Sequence, residues 1–178
     1  MNQPLLTTAR LDLYRPVASD LAAIAAMVAP DVMRRHLGPR APTLADEFAR
    51  LMRNAGSWAL YGYGSCIVRL RGDDTVVGVC GVFHSWRGFG AEVVPAFDDV
   101  AEAGWIIAQP HWGKGYATEA MHAVLGWFDA THGPARVVCM IEHGNAASFG
   151  VAARLGFAAR AEHDWDGARL TLLERARP

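Results

Sequence analysis

A glycine-rich turn is the part of the sequence whose residue types and spacing point most directly to chemistry. Gly113, Lys114 and Gly115 stand between an apolar, strand-like segment and the start of an amphipathic helix. Glycines at the start of a helix let the backbone approach a ligand, and the free amides of the first helical turn attract phosphate oxygens. Lys114 adds a nearby cation. The turn therefore predicts a site for a phosphate-containing ligand.

Two well-known phosphate motifs are excluded by the residues around this turn. A Walker loop requires glycine five positions before Gly113 and serine or threonine after the lysine, where Ala108 and Gly115 stand. A dinucleotide-binding fingerprint requires a third glycine at the position of Thr118, and its fold does not suit a strand-rich, antiparallel N-terminal half. The turn therefore belongs to another class of phosphate site.

Charge and hydropathy exclude several classes of protein. Seventeen basic residues against eighteen acidic ones leave a formal net charge of -1, so no overall field draws the chain to nucleic acid or to an anionic membrane. No apolar run approaches the roughly 20 residues that cross a bilayer, and no signal segment is recognised. We expect a soluble, cytoplasmic protein with no nucleic-acid or membrane partner.

Cysteine and histidine spacing gives no metal site. Cys66, Cys80 and Cys139 lie far apart in apolar, strand-like runs, and no Cys-x-x-Cys pair occurs. The seven histidines show neither H-x-x-x-H nor H-E-x-x-H spacing. We therefore expect no metal and no disulfide framework, and three buried thiols that act as small apolar side chains.

The elements that position the turn are predicted from the hydrophobic pattern, in the order β-α-α-β-β-β-α-β-α-β-β. One β-α-β unit surrounds the glycine-rich turn, and the segments on either side of Gly72 are typical of an antiparallel hairpin. A chain of 178 residues fits one core. The prediction is a single α/β domain of mixed α+β type over residues 1–178, with a central, mixed and mostly antiparallel sheet flanked by helices.

The second predicted helix begins at Thr43, which with Asp46 resembles a capping box, and it ends at Gly56. The apolar stripe of this helix is Leu44, Phe48, Leu51 and Met52. A strand is predicted from Trp58 to Leu70.

The helix after the glycine-rich turn is the best-defined predicted element. Its apolar stripe is Ala117, Ala120, Met121, Val124, Leu125 and Phe128. By contrast, the stretch from His84 to Val100 combines aromatic, proline and glycine residues, and we predict a long loop there that forms part of a substrate-side wall.

Several segments together resemble one enzyme family. They are Thr8–Pro16, Glu102–Trp105, Trp112–Ala120, Asn145–Ser148 and Arg154–Phe157. In order and spacing they resemble the GNAT superfamily of N-acetyltransferases, and most closely the branch typified by ribosomal-protein N-terminal acetyltransferases. The resemblance implies a GNAT-like fold and transfer of an acetyl group from acetyl-CoA to a primary amine, by direct attack of the amine on the thioester. The amine would belong to a peptide N-terminus or a small molecule.

The resemblance also implies which residues bind the coenzyme. Amides of the glycine-rich turn would hold the pyrophosphate, and the preceding strand would pair with the pantetheine arm and place an N–H against the acetyl carbonyl. Trp112 stands where the family commonly has glutamine or arginine. The implied coenzyme-binding residues are Trp105, Ile106, Ile107, Trp112, Gly113, Lys114, Gly115, Tyr116, Ala117, Thr118 and Asn145.

Acid and base candidates follow from the same resemblance. The acceptor amine must be neutral to attack, so the reaction needs a base. We predict Glu102 in that role, directly or through water, with Glu142 and His143 as alternatives. The tyrosine that protonates the thiolate in many relatives corresponds to Ala152, and Ser148 is the predicted substitute.

Two other functional interpretations are compatible with the sequence. A catalytically silent module that binds acyl-CoA as a sensor would share the fold, and the missing tyrosine permits it. A structural or partner-binding domain without coenzyme is disfavoured by the glycine-rich turn. His84 and Trp86 either line the acceptor pocket or close the end of the sheet. The pattern identifies neither the acceptor nor the oligomeric state, monomer or homodimer.

Overall fold

The computed structural model describes residues 3–37, 41–90, 93 and 96–176. In these residues, the strands are β1 (Leu6–Thr7), β2 (Leu11–Tyr14), β3 (Ser65–Leu70), β4 (Val76–Ser85), β5 (Val100–Ile107), β6 (Val137–Glu142), β7 (Phe157–Trp165) and β8 (Ala168–Arg175). The α-helices are α1 (Leu21–Val28), α2 (Asp31–Arg34), α3 (Leu44–Tyr61), α4 (Tyr116–His132) and α5 (Ala146–Arg154).

All eight described strands form one sheet in the order β1-β2-β3-β4-β5-β6-β8-β7. Every neighbouring pair is antiparallel except β5 and β6, which are parallel and joined through α4. The predicted fold class, a mixed and mostly antiparallel sheet with flanking helices, is therefore confirmed. None of the helices in the described ranges is long and apolar enough to cross a membrane.

Helices cover both faces of the sheet. Because neighbouring residues of a strand point to opposite sides, they pack against different helices. Cys80 of β4 packs in the cluster that holds α4, whereas its neighbour Val79 packs in the cluster that holds Ile24 of α1. The predicted stripe of α4 is buried from Ala120 to Phe128, so its period was interpreted correctly. This arrangement fixes the start of α4 beside the end of β5.

The three cysteines are buried, as predicted. Desolvation by burial raises the pKa of the Cys66 and Cys80 thiols to about 12. Burial, with the nearby charge of Glu102, also raises the pKa of Cys139. These thiols are therefore protonated at neutral pH and act as apolar side chains.

The predicted end of the second helix is wrong. α3 continues through Gly56 to Tyr61, and the left-handed residue that ends it is Gly62, with φ 77°. Trp58, predicted to begin a strand, is a helical residue whose indole donates to the Ser65 carbonyl. A glycine ends a helix where its own backbone is left-handed. Gly62 has this conformation and Gly56 does not, so the helix extends to Gly62.

The predicted apolar stripe of α3 is also largely wrong, because the helix faces the sheet with a different side. Leu51 is buried, whereas Phe48 and Met52 are 52% and 54% exposed. The inward side carries Asn54, whose amide bonds both backbone groups of Ser65. It also carries Ser57, which donates to a carbonyl and accepts from a backbone N–H. Polar contacts with the strand ends therefore set the rotation of this helix.

The orientation of α3 predicts that two truncations on this helix will differ in their effect on stability. Leu51→Ala should lower the free energy of unfolding by about 2 to 4 kcal/mol, because it leaves a cavity in the core. Phe48→Ala, a larger truncation three residues away, should cost less than about 1 kcal/mol because much of the ring is already exposed. Urea unfolding of both variants measures the difference. Equal losses of unfolding free energy would contradict this orientation of α3.

Candidate active site

A cleft opens where β5 and β6 separate. The two strands pair only at Ala101 with Val137 and at Glu102 with Val138. Beyond these pairs β5 continues along β4 to Ile107, while β6 continues along β8. Within the described residues, the edge of β5 from Ala103 onward thus has no strand partner. An exposed edge of this kind can take up an extended ligand as if it were an added strand.

The glycine-rich turn lies at the end of this free edge and leads directly into α4. Gly113 and Gly115 have φ of 73° and 78°, a left-handed conformation that favours glycine. Gly115 is the N-cap of α4 and offers no side chain to the first helical amides, which have no partner within the helix. A β-carbon on Gly113 would meet no atom of the described residues within 4 Å, so the space above the turn is open to that extent.

The turn is anchored to the first hairpin by Arg10. Its guanidinium donates to the Lys114 carbonyl at 2.9 Å and pairs with Glu119 of α4. Burial opposes ionisation of Glu119, but hydrogen bonds from Thr8 and Arg10 hold the pKa of this carboxyl below its usual value. This role of Arg10 was not predicted from the sequence, because Arg10 and Glu119 lie 109 residues apart.

Trp112 fixes the turn from its other side. Its indole N–H donates to the Ile107 carbonyl at 2.6 Å, and the ring is 48% exposed. The residue that replaces the usual glutamine or arginine thus supplies a positioning hydrogen bond of its own. The ammonium group of Lys114 makes no hydrogen bond or ion pair with the described part of the chain, so it is available to a ligand.

The cleft beside this edge has a volume of about 1260 Å³. One wall is built from β5, β6 and α5, and it carries Glu102, Glu142 and Ser148. The opposite wall is built from α1, α2, α3 and the residues that follow α2. The predicted loop after His84 is shorter than expected, because β4 continues to Ser85.

The described part of that loop forms another side of the cleft. Phe89 and Phe97 are buried against β6 and β8, while Trp86 is 73% exposed at the cleft. His84 is held by the Tyr63 hydroxyl at 3.0 Å and by Asp99 at 2.9 Å. The loop therefore has a packed base and an exposed aromatic residue at the cleft.

Glu102 lies in the cleft with its side chain 7% exposed. Both carboxylate oxygens accept hydrogen bonds from Arg87, at 3.0 and 2.6 Å. This bidentate, charge-assisted contact holds the carboxylate in place. Glu102 stays a predicted base, and to act as one it would have to exchange a contact with Arg87 for one with the acceptor or a water.

Asn145 and Ser148 lie together at the start of α5. The Asn145 side chain caps the helix by accepting from the Ser148 backbone N–H at 3.1 Å. The Ser148 hydroxyl accepts from the Trp105 indole at 3.3 Å, so its own proton can be donated into the cleft. Ala152, which stands where many relatives have a tyrosine, is fully buried.

The two alternatives to Glu102 are separated by the structure. Glu142 lines the cleft and contacts His36, with 3.0 Å between Oε2 and Nδ1. The ring of His143 instead lies 3.4 Å from Glu162 of β7. His36 was not predicted as a site residue, because it belongs to no recognised motif. Over the ranges that the structure describes, no group of three or more His, Cys, Asp or Glu side chains could hold a metal ion.

Comparisons with known proteins agree with this geometry. The sequence model of the acetyltransferase (GNAT) domain matches residues 10–158. A Bordetella pertussis protein assigned to the GnaT acetyltransferase family has a TM-score of 0.84 and 35% identity, covering 96% of this chain and 98% of that one. RimL, a ribosomal L7/L12 alpha-N-protein acetyltransferase solved with coenzyme A, has a TM-score of 0.72 at 14% identity over 97% of each chain.

A curated relative matches over a shorter segment. The uncharacterised protein YkkB from Bacillus subtilis is 39% identical over 57 residues, which are 32% of this chain and 33% of that protein. The match thus spans about a third of the length of that relative.

Proposed function

Because the chain belongs to the GNAT acetyltransferase family, we propose that it transfers the acetyl group of acetyl-CoA to a primary amine, on a peptide N-terminus or a small molecule. The observation that carries this proposal is the free edge of β5 leading into the open glycine-rich turn. In acetyl-CoA an extended pantetheine arm is joined to a pyrophosphate. The arm matches the free edge of β5, and the pyrophosphate matches the glycine-rich turn. RimL, solved with coenzyme A, has the same fold.

Acetyl-CoA would lie along the β5 edge and end at α4. The pyrophosphate would accept hydrogen bonds from the free amides between Gly113 and Thr118, helped by the dipole of α4 and by Lys114. The pantetheine arm would pair with Trp105, Ile106 and Ile107, and Asn145 would lie near the sulfur. A strand N–H would stabilise the negative charge that develops on the acetyl oxygen.

Ser148 is the group that we propose to protonate the departing thiolate. Its hydroxyl already accepts one hydrogen bond from Trp105, which leaves its proton free to donate. A thiolate is a tolerable leaving group, so a weak acid at this position is compatible with turnover.

The proposed activity is tested by calorimetry with acetyl-CoA, followed by thiol release with a panel of amines. The panel should include peptides with free N-termini, alkylamines and diamines. Tight binding together with acceptor-dependent thiol release would support the enzyme. A wild-type chain that does not bind acetyl-CoA would contradict the proposal.

A second candidate function is an acyl-CoA sensor with the same fold. It is favoured by Ala152, because an alanine cannot replace the tyrosine acid of many relatives. The same experiment separates the two functions. Acetyl-CoA binding without thiol release for any amine, including the peptides, would favour the sensor.

Trp112→Phe gives a prediction about the glycine-rich turn. The variant keeps the aromatic ring but loses the hydrogen bond to the Ile107 carbonyl. Loss of one such bond costs about 1 kcal/mol, so we expect acetyl-CoA to bind roughly fivefold more weakly. Calorimetry checks this value, and unchanged affinity would show that the turn holds its shape without Trp112.

A further inference from the structure

We propose that His36 is the general base of the transfer and that Glu142 positions its imidazole. The inference rests on the proposed acetyltransferase function and adds to it a residue pair that links the two walls of the cleft. His36 follows α2 and Glu142 ends β6, so the contact joins residues 106 positions apart. Neither residue belongs to a motif of the glycine-rich turn.

The geometry of the pair suits proton transfer. Nδ1 of His36 lies 3.0 Å from Oε2 of Glu142, and the two side chains are 25% and 31% exposed. Both residues line the cleft. Nε2 of His36 has no hydrogen-bond or ion-pair partner in the part of the chain that the structure describes. One ring nitrogen is therefore held by a carboxylate while the other is available.

The contact with Glu142 decides which nitrogen keeps its lone pair. A carboxylate beside Nδ1 favours the tautomer with the proton on Nδ1, because that proton is donated to it. Nε2 of the neutral ring is then an acceptor. The same division of roles operates in other acid–base pairs of histidine and carboxylate.

Two other carboxylates of the cleft, Glu102 and Glu47, are less suited to this role. Both oxygens of Glu102 are engaged by Arg87. The side chain of Glu47 is 1% exposed, and Arg50 lies 3.5 Å from it. An acceptor would have to break an ion pair to reach the first and to displace packed side chains to reach the second. His36 can take a proton with neither change.

The transfer starts from the neutral acceptor amine. The acceptor nitrogen forms its bond to the acetyl carbon and gives one proton to Nε2 of His36, which becomes an imidazolium held by Glu142. The carbon–sulfur bond breaks, and the sulfur receives a proton through Ser148, which is resupplied from His36 by way of solvent. The products are the amide and the free thiol, and His36 is neutral again.

This assignment favours one class of acceptor. His36 acts on an acceptor that is already neutral, and the ordinary pKa is about 7.7 to 8.0 for an α-amine against about 10.4 for a lysine side chain. At neutral pH a much larger fraction of an α-amine is therefore ready to attack. We expect acceptors with α-amines, such as peptide N-termini, to react faster than alkylamines.

The tautomer of His36 tests the inference directly. Long-range proton–nitrogen correlation spectra of the labelled protein should show neutral His36 with its proton on Nδ1. In Glu142→Ala this preference should be lost while other histidines keep their signals. A wild-type His36 that carries its proton on Nε2 would overturn the inference, because that nitrogen could not then accept another.

Kinetics provide the second arm. His36→Gln should lower the rate of thiol release with an acceptor of the panel by about 100-fold or more. Its affinity for acetyl-CoA should be unchanged. His122→Gln is the matched control, since His122 is exposed on α4, and it should react like wild type. Loss below tenfold in His36→Gln would overturn the assignment.

The two arms separate this inference from the proposed function. The tautomer is measured whether or not an amine in the panel reacts. Failure of the wild-type chain to bind acetyl-CoA would count against the proposed function, whereas normal binding with the wrong tautomer would count against His36 alone.

Discussion

Gly113→Glu is expected to weaken acetyl-CoA binding at least about 100-fold while the chain stays folded. The residue lies at the mouth of α4, where a carboxylate would repel the pyrophosphate and compete for the same amides. A β-carbon at this position meets no atom within 4 Å in the described part of the chain, so the added carbon introduces no clash there. A 100-fold loss corresponds to about 2.7 kcal/mol of binding free energy.

The matched control is the same substitution at the other end of the same helix. Gly133 also has a positive φ, 77° against the 73° of Gly113, and its β-carbon would likewise meet no described atom within 4 Å. Gly133→Glu should itself cost about 1 to 3 kcal/mol in backbone strain, because φ of 77° with ψ of 174° is a conformation that few residues other than glycine adopt, yet it should bind acetyl-CoA like wild type. Calorimetry and urea unfolding of both variants measure the two effects. Equal affinity of the two variants would contradict the pyrophosphate site.

Local features of the sequence predicted the elements around the candidate site that depend on neighbouring residues. The glycine-rich turn was predicted because glycines just before an amphipathic stripe indicate a helix start whose backbone a ligand can approach. The period of α4 and the order of most elements were predicted because they follow from the local pattern of apolar and polar residues. The family resemblance was confirmed by the domain match over residues 10–158. All these signals lie within short windows of sequence.

Features that depend on distant contacts were not predicted. The side of α3 that faces inward is set by Asn54 and Ser57, which bond backbone groups near the ends of β3 and β4, so the apolar pattern of the helix predicted the wrong side. The separation of β5 from β6 depends on where two strands stop pairing. Arg10 and His36 find carboxylates more than 100 residues away. No local period encodes such partners.

The role of Glu102 can be tested through its partner, because Arg87→Met should lower the free energy of unfolding by about 3 kcal/mol. The variant keeps much of the apolar stem near Phe83 and Trp165 but leaves the Glu102 carboxylate buried without its counter-charge. Removing one member of a buried pair costs about 3 to 5 kcal/mol, and the exposure of Arg87 places this case at the lower end.

The double variant decides whether the cost comes from the stranded charge. Arg87→Met with Glu102→Gln should recover at least about 1.5 kcal/mol relative to Arg87→Met alone, since a neutral amide is less costly to bury than an unpaired carboxylate. Urea unfolding of wild type, both single variants and the double variant gives this coupling energy. Additive losses would mean that Arg87 stabilises the cleft through packing alone. A strong coupling would mean that Glu102 is held as an ion by Arg87. Glu102 could then act in proton transfer only by giving up part of that coupling energy. His36 carries no such cost, and this difference supports its assignment as the base.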